Sequence, residues 1–133
     1  MQRFITIFSL AFLLLAPARS QTVPPGLVKA IGEGDAKKMS EFFHQSLEMT
    51  ILREDYTVSK NQATRIMENF FEKNVPLEFS ISFEGTKEQS KYAIGSLKTR
   101  QGSFRINLFF LQKGGNRLIY YMSIEKESSY ELE

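Results

Sequence analysis

The side chains of this chain that could carry chemistry are few and lie far apart. His44 is the single histidine and cysteine is absent, so the sequence offers no thiolate and no second imidazole. Transition-metal sites need such groups in clusters, and no thiolate is available as a nucleophile, so we expect no metal site, no cofactor and no catalytic residue set. His44 follows Phe42-Phe43 at the predicted end of a helix, where an imidazolium is favoured by the helix dipole. Its alternative role is a general base at the mouth of a pocket.

Three tyrosines are the other candidates for contact with a ligand. Tyr56 adjoins Asp55 in a predicted loop, where the pair either reaches the rim of a pocket or forms a solvated turn. Tyr92 and Tyr120 fall on predicted strands, and a tyrosine offers a ligand both apolar area and one hydroxyl. Either of these two could instead pack in the core. The candidate ligand-binding residues are therefore Tyr92, Tyr120, His44 and Tyr56.

Residues 1–20 have the pattern of a secretory signal peptide. Arg3 supplies positive charge, residues 4–16 are almost wholly apolar, and Ala18 and Ser20 provide the small residues of a cleavage site. The apolar run is shorter than the roughly 20 residues that span a bilayer. No cysteine follows that could carry a lipid, so we expect a protein exported to the periplasm or the medium, without a stable membrane anchor.

The chain that remains after removal of this peptide is close to electrically neutral. Of the 17 lysines and arginines, Arg3 and Arg19 belong to the predicted signal peptide, which leaves 15 to balance 15 acidic residues. A balanced charge gives no support for nucleic acid or an anionic membrane surface as a partner. We therefore expect neither.

Helical periodicity dominates the first half of the predicted mature chain. Asp35 is placed to cap a second short helix that includes Phe42-Phe43. Ser59 and Gln62 have the spacing of a capping box at the start of a third helix, over 61–73. This third helix is the strongest single element that the sequence predicts.

Strand periodicity replaces helical periodicity after Pro76. Alternating apolar residues predict an antiparallel meander that follows a first short strand at 47–52, giving a sheet of four or five strands. The strand positions expected to face the helices are Phe79, Ile81, Phe83, Ile106, Leu108, Phe110, Tyr120, Met122 and Ile124. None of them is a carboxylate, which argues against the buried acid–base pair that pocket catalysis requires.

The last predicted hairpin could pair its two strands in either of two registers, and the apolar side chains favour one of them. A two-residue loop at Gly114-Gly115 puts the apolar residues of the two strands on opposite faces. A three-residue loop that includes Asn116 brings them onto one face and pairs Phe110 with Tyr120. Because this second register buries the apolar residues together, it is the one we predict.

The predicted register also gives the opposite face of the hairpin two features. Arg105 lies across from Glu125, which is a favourable cross-strand pair. Nearer the turn this face is apolar, and in a monomer four residues would form an exposed patch: Phe109, Leu111, Ile119 and Tyr121. Such a patch marks an interface, here that of a homodimer, unless a loop or an N-terminal segment covers it.

The order of these elements resembles that of a known fold. Two short helices broken at Gly34-Asp35, a strand at 47–51, a helix at 61–73 and a meander are similar to the α+β cone of the nuclear transport factor 2-like, cystatin-like superfamily. Within it, the chain most resembles an uncharacterised bacterial exported family, domain-of-unknown-function family 4783. The resemblance implies N-terminal helices packed on a curved, mainly antiparallel sheet, with a pocket at its open end. We expect one such domain over residues 21–126, followed by a polar tail at 127–133.

These observations favour a non-catalytic exported domain that binds a small apolar ligand or a protein partner. One alternative is a pocket enzyme of the isomerase or hydrolase type that uses His44 or Tyr92. Another is a structural accessory of a cell-envelope assembly, with an envelope protein as its partner. The cone supports enzymes and non-enzymes alike, so the fold alone does not choose among these functions.

Overall fold

The computed structural model describes residues 23–128 as three helices and one six-stranded sheet. The predicted signal peptide, residues 1–20, lies outside the described residues, as do residues 129–133 of the predicted tail. Over the described range, no helix is long and apolar enough to cross a membrane.

Two short helices open the described chain, as the sequence predicted. The first, α1, spans Pro25–Glu33 and ends at Gly34, whose φ of 69° is one that glycine adopts without steric cost. The second, α2, spans Ala36–Ser40. The Asp35 carboxylate caps α2 by accepting a hydrogen bond from the Lys38 amide at 3.0 Å.

The chain leaves α2 earlier than its apolar spacing predicted. Since α2 ends at Ser40 and strand β1 spans Phe43–Ile51, His44 lies in a strand, and its predicted place at a helix end is wrong. The physical cause is a tertiary hydrogen bond, because the Phe42 carbonyl accepts from the Ile119 amide at 2.7 Å. This bond draws the backbone into the sheet one turn before the helical pattern runs out.

The longest helix, α3, spans Lys60–Lys73 and confirms the predicted capping box. The Ser59 hydroxyl accepts from the Gln62 amide at 3.2 Å, and the Gln62 side chain accepts from the Ser59 amide at 3.0 Å. The apolar stripe of α3 packs on the sheet, where Phe70 meets Phe104 edge to face with ring centroids 5.2 Å apart.

The sheet contains one strand more than the largest number expected. After β1, the strands are β2 (Glu54–Ser59), β3 (Pro76–Lys87), β4 (Ser90–Thr99), β5 (Gly102–Lys113) and β6 (Asn116–Lys126). Their order across the sheet is β2-β1-β6-β5-β4-β3. Every pairing is antiparallel except that of β1 with β6, which is parallel. The segment with Asp55 and Tyr56, predicted to be a loop, is the additional strand β2.

The helices cover one face of the sheet, called here the helix face, and the opposite face is called the outer face. Most of the predicted inward positions are confirmed as part of the core on the helix face: Phe79, Ile81, Ile106, Leu108, Phe110, Met122 and Ile124. Met67 of α3 and Leu27 of α1 belong to the same core cluster and are fully buried. Aromatic and aliphatic side chains thus fill the space between these helices and the sheet.

An extra residue in β3 turns one predicted core residue outward. Ile81 pairs with Gly95 and Phe83 pairs with the adjacent Ile94, so Ser82 has no partner on β4 and forms a β-bulge. Phe83 therefore points away from the helices and is 52% exposed. The prediction that Phe83 faces the core is wrong because one extra residue reverses the alternation of faces.

A second bulge gives the last hairpin a register that neither simple loop provides. The loop is the two-residue turn Gly114-Gly115, with φ values of 57° and 82°, and so the predicted three-residue loop is wrong. The apolar residues nevertheless share a face because Tyr120 is an extra, unpaired residue of β6. The pairs on either side of this bulge are Phe109 with Tyr121 and Phe110 with Ile119.

The bulge at Tyr120 overturns two predictions and leaves a third intact. Tyr120 does not pair with Phe110 and does not face the core, since its ring contacts Phe109 on the outer face. Ile119 is fully buried on the helix face and so is not part of an outer interface. Beyond the bulge the predicted register is confirmed, and Arg105 lies opposite Glu125.

Candidate functional site

Aromatic side chains cross four neighbouring strands on the outer face. Tyr92 of β4 stacks on Phe109 of β5, with ring centroids 5.5 Å apart and planes inclined by 19°. Phe109 meets two rings of β6 edge to face, Tyr121 at 5.5 Å and Tyr120 at 6.3 Å. Phe83 of β3 contacts Tyr92 at 5.8 Å. We refer to these five residues as the aromatic cluster.

Two of the five members of the aromatic cluster reach the outer face only because of the β-bulges. With the regular alternation of a strand, Phe83 and Tyr120 would lie on the helix face. Bulges that redirect a side chain in this way are frequent beside functional sites. The convergence of two independent bulges on one cluster therefore marks this part of the sheet as a candidate site.

A groove of about 640 Å³ runs beside the aromatic cluster and across the strands. Its floor consists of two short polar side chains that face each other in register, Asn107 of β5 and Ser123 of β6. The Asn107 amide nitrogen donates to the Ser123 hydroxyl at 2.7 Å, and Ser123 is only 4% exposed. The surface is depressed here because taller side chains rise on both sides of this polar pair.

Charged side chains form the second wall and the ends of the groove. Arg105 and Glu125 stand opposite each other in register, and Glu48 of β1 and Lys87 of β3 also line the groove. Among residues 23–128, none of these four side chains forms an ion pair or a side-chain hydrogen bond. The register predicted for Arg105 and Glu125 is thus confirmed, but their charges are not paired within the described part of the chain.

The four predicted ligand-binding residues fall into two pairs. Tyr92 and Tyr120 both line the groove, although on the outer face and not in the pocket on the helix side that the fold resemblance implied. The Tyr120 hydroxyl donates to the Ser90 hydroxyl at 3.3 Å, which holds its ring beside the end of β4. The structure therefore brings these two tyrosines together in a site other than the one expected.

His44 and Tyr56 lie outside the groove. The Nδ1 atom of His44 is 3.1 Å from the Ser46 carbonyl oxygen, a local contact within β1. Tyr56 pairs with Met49, packs against the core and donates its hydroxyl hydrogen to the Glu54 carboxylate at 2.6 Å. This hydrogen bond is the main cause of the raised pKa of Tyr56, with burial and the charge of Glu54 adding to it.

The four predicted interface residues are also divided by the structure. Phe109 and Tyr121 belong to the aromatic cluster, and Leu111 lies on the same face, paired with Leu118. Ile119 is the exception described above, because the bulge places it in the core. Three of the four residues therefore remain candidates for contact with a partner.

Several groove residues were not identified from the sequence, although some carried a signal. Asn107 lies between Arg105 and Phe109 in the alternation of β5, and Ser123 lies between Tyr121 and Glu125 on β6. Once the register is known, the alternation predicts that Asn107 and Ser123 form a polar pair on one face, with aromatic residues on one side and charges on the other. No comparable local signal marks Phe83, which depends on the bulge at Ser82.

The carboxylates of the groove lie at its surface. Glu48 and Glu125 are exposed, and neither is hydrogen-bonded to another titratable side chain among the described residues. Over residues 23–128, no group of three or more histidine, aspartate or glutamate side chains could hold a metal ion. Shape, aromatic surface and hydrogen-bonding groups are what the site presents.

The fold is shared with solved structures from several bacteria. A DUF4783 family protein from Bacteroides ovatus ATCC 8483 is 28% identical with a TM-score of 0.77, and the match covers 82% of this chain and 99% of that one. One from Bacteroides fragilis YCH46 is also 28% identical, with a TM-score of 0.75 and coverage of 79% and 99%. An NTF-2 like protein of unknown function from Silicibacter pomeroyi DSS-3 is 15% identical, with a TM-score of 0.57 and coverage of 77% and 87%, and shows the fold alone.

No curated protein matches the chain in sequence. A family model, however, does match the sequence and points to the same family as the solved structures. The model of the family described as "Domain of unknown function (DUF4783)" matches residues 25–125, which include all three helices and nearly the whole sheet. The resemblance inferred from the order of helices and strands is thereby confirmed, and this chain belongs to the DUF4783 family with a nuclear transport factor 2-like fold.

Proposed function

We propose that this protein is a non-catalytic, exported binding domain whose binding surface is the outer face of its sheet. The observation that carries the proposal is the aromatic cluster, which two β-bulges assemble on the face that the helices leave uncovered. The groove beside it falls within the roughly 300–1,000 Å³ typical of ligand sites. Export is supported by the signal-peptide pattern of residues 1–20.

Two kinds of occupant fit this face, and each is favoured by its own observation. The groove, with its polar floor and aromatic wall, favours a small ligand that makes hydrogen bonds as well as apolar contacts. Phe83, which is 52% exposed beside Tyr92 and Phe109, favours a protein partner, either a second copy in a homodimer or an envelope protein.

Native mass spectrometry of the protein purified from its own cell envelope tests the proposal. A small ligand predicts a monomer mass increased by a few hundred daltons, and self-association predicts a dimer mass. Phe109→Ala removes the ring at the centre of the aromatic cluster and should abolish whichever species is seen. Leu77→Ala is the matched control, since Leu77 is 60% exposed and lies outside the groove.

Two results would contradict the proposal. One is a bare monomer from the native envelope, because a binding domain should retain some of its partner. The other is a ligand or dimer that survives Phe109→Ala as well as it survives Leu77→Ala, since the functional surface would then lie elsewhere.

A further inference from the structure

We infer that the groove binds a neutral, hydroxyl-rich ligand of the saccharide class, an inference that rests on the binding function proposed above. The reasons are the hydrogen-bonding capacity of the groove, the balance of its charges, and the way its aromatic wall is built. The first reason argues against a wholly apolar ligand, the second argues against a strongly ionic one, and the third supplies apolar contact to a sugar ring.

The hydrogen-bonding capacity of the groove excludes a wholly apolar ligand. Asn107 donates one side-chain amide hydrogen to Ser123. Among the described residues, its side-chain carbonyl oxygen and its second amide hydrogen have no partner. Within residues 23–128, Arg105 adds donors and Glu125 adds acceptors that have no side-chain partner. An apolar ligand would strip water from these groups without replacing their hydrogen bonds, at a cost of about 1–3 kcal/mol for each group. A hydroxyl both donates and accepts, so a ligand with several hydroxyls can satisfy all three side chains.

The balance of charges argues against a strongly ionic ligand. Arg105 and Lys87 supply two positive charges to the groove, and Glu48 and Glu125 supply two negative charges. A net anion would approach two carboxylates, and a net cation would approach a guanidinium and an ammonium. A neutral ligand meets all four groups through hydrogen bonds alone, without an unpaired charge.

The aromatic wall of the groove, formed by Tyr92 and Phe109, suits the apolar C–H groups of a sugar ring. Tyr92 and Phe109 are fixed by stacking on each other, and Gly85 lets the ring of Tyr92 lie directly on its backbone. This packing restricts both rings before any ligand arrives, which lowers the entropic cost of binding. The C–H groups of a pyranose can contact the exposed parts of these two rings, while its hydroxyls can bond to Asn107 and the charged rim.

An extended peptide is disfavoured by the position of the groove in the sheet. Four of the five strands that line the groove, β1, β6, β5 and β4, are internal strands with neighbours on both sides, and the edge strand β3 contributes only Lys87. The backbone groups of the four internal strands already pair within the sheet, so a peptide lying across them has no free strand edge to extend. Recognition in the groove must come from side chains, as it does for a small polar ligand.

Titration followed by 15N–1H nuclear magnetic resonance tests the inference on the protein expressed from its full chain. The probes are maltotriose, cellotriose and xylotriose, with 2-naphthol as an apolar probe and trigalacturonate as a charged sugar. We expect at least one neutral trisaccharide to shift the amide resonances of Asn107, Tyr92 and Tyr121 in a saturable manner. Asn107→Ala should weaken that binding about tenfold. Asn116→Ala, at the exposed start of β6 and outside the groove, is the matched control and should not weaken it.

The other outcomes separate this inference from the proposed function. If 2-naphthol shifts these resonances and no neutral trisaccharide does, the saccharide class is wrong while binding on the outer face stands. Tighter binding of trigalacturonate than of the neutral sugars would overturn the neutral character of the ligand. If no probe affects these resonances and native mass spectrometry shows a bare monomer, the inference and the proposed function both fail.

Discussion

The ring of Tyr92 lies directly on the backbone of Gly85, its cross-strand partner. A Cβ atom added to Gly85 would be 2.8 Å from the tyrosine hydroxyl oxygen and 2.8 Å from the carbon that carries it. This contact holds the tyrosine ring in the aromatic cluster, between Phe83 and Phe109. A residue with a side chain at position 85 would force the ring to move.

Gly85→Ala should therefore displace Tyr92 without unfolding the sheet. The atoms that the new Cβ meets are at the far end of a partly exposed side chain, so we expect the free energy of unfolding to change by less than about 1 kcal/mol. The near-ultraviolet circular dichroism of the aromatic cluster should change, and affinity for a groove ligand should fall.

Gly95→Ala provides the contrast on the helix face. Its Cβ would lie 2.5 Å from the ring of Phe79 and 3.0 Å from the Ser80 carbonyl oxygen, and Phe79 belongs to the core. We expect this overpacking to lower the free energy of unfolding by about 1–3 kcal/mol, as measured by urea denaturation. Equal effects of the two substitutions would contradict the assignment of Tyr92 and Phe79 to opposite faces.

Phe104 and Phe83 should differ strongly in their contribution to stability. Phe104 is 1% exposed and packs edge to face against Phe70, so Phe104→Ala should cost about 3–5 kcal/mol. Phe83 is half exposed, so Phe83→Ala should cost no more than about 1 kcal/mol. Urea denaturation of both variants measures the difference. A large loss with Phe83→Ala would mean that the bulge at Ser82 does not turn Phe83 outward.

Substitutions in the turn between β1 and β2 should stabilise the folded protein. Leu52 and Arg53 have φ values of 49° and 78°, which residues other than glycine and asparagine rarely adopt. The double substitution L52N/R53G installs the asparagine–glycine pair that such turns favour, and should raise the free energy of unfolding by about 1–2 kcal/mol. The same pair at Glu88 and Gln89, where φ is 49° and 69°, should act in the same direction. No gain at either turn would count against the left-handed geometry.

The hydroxyl of Tyr56 should titrate above its usual pKa of 10.0. Its hydrogen bond to the Glu54 carboxylate favours the neutral phenol, which raises the pKa in the folded protein. The stabilisation from this contact is complete below pH 10.0 and is lost as the pH rises through the raised pKa. Tyrosinate absorbance, taken as the difference between the protein and its Tyr56→Phe variant, should show a midpoint above 10.0. Glu54→Ala should move that midpoint back down, and an unchanged midpoint would exclude this cause.

Features that depend on neighbouring residues were predictable from the sequence. The capping box of Ser59 and Gln62 and the cap at Asp35 involve residues three apart, so the spacing of side chains was enough to find them. The alternation of β5 was equally local, and it identified both the core face and Phe109. The fold class followed because these elements occur in a characteristic order.

Features that depend on partners far along the chain were not predictable in the same way. The bulges at Ser82 and Tyr120 are visible only when the strands are paired, and each reverses the face of one aromatic residue. The end of α2 is set by a hydrogen bond between Phe42 and Ile119, which no local pattern contains. The candidate groove therefore combines predicted residues, such as Tyr92, with a location that only the sheet reveals.

The parallel pairing of β1 with β6 places the last strand of the sheet between earlier ones, with β1 on one side and β5 on the other. Until β6 is available, β1 and β2 form a separate hairpin with no link to the β3–β5 meander except through the helices. A chain still being synthesised therefore cannot complete its sheet before its final strand leaves the ribosome, and long-range pairing of this kind slows folding. Because β6 supplies Tyr120, Tyr121, Ser123 and Glu125 to the groove, the groove forms only after this last strand has paired.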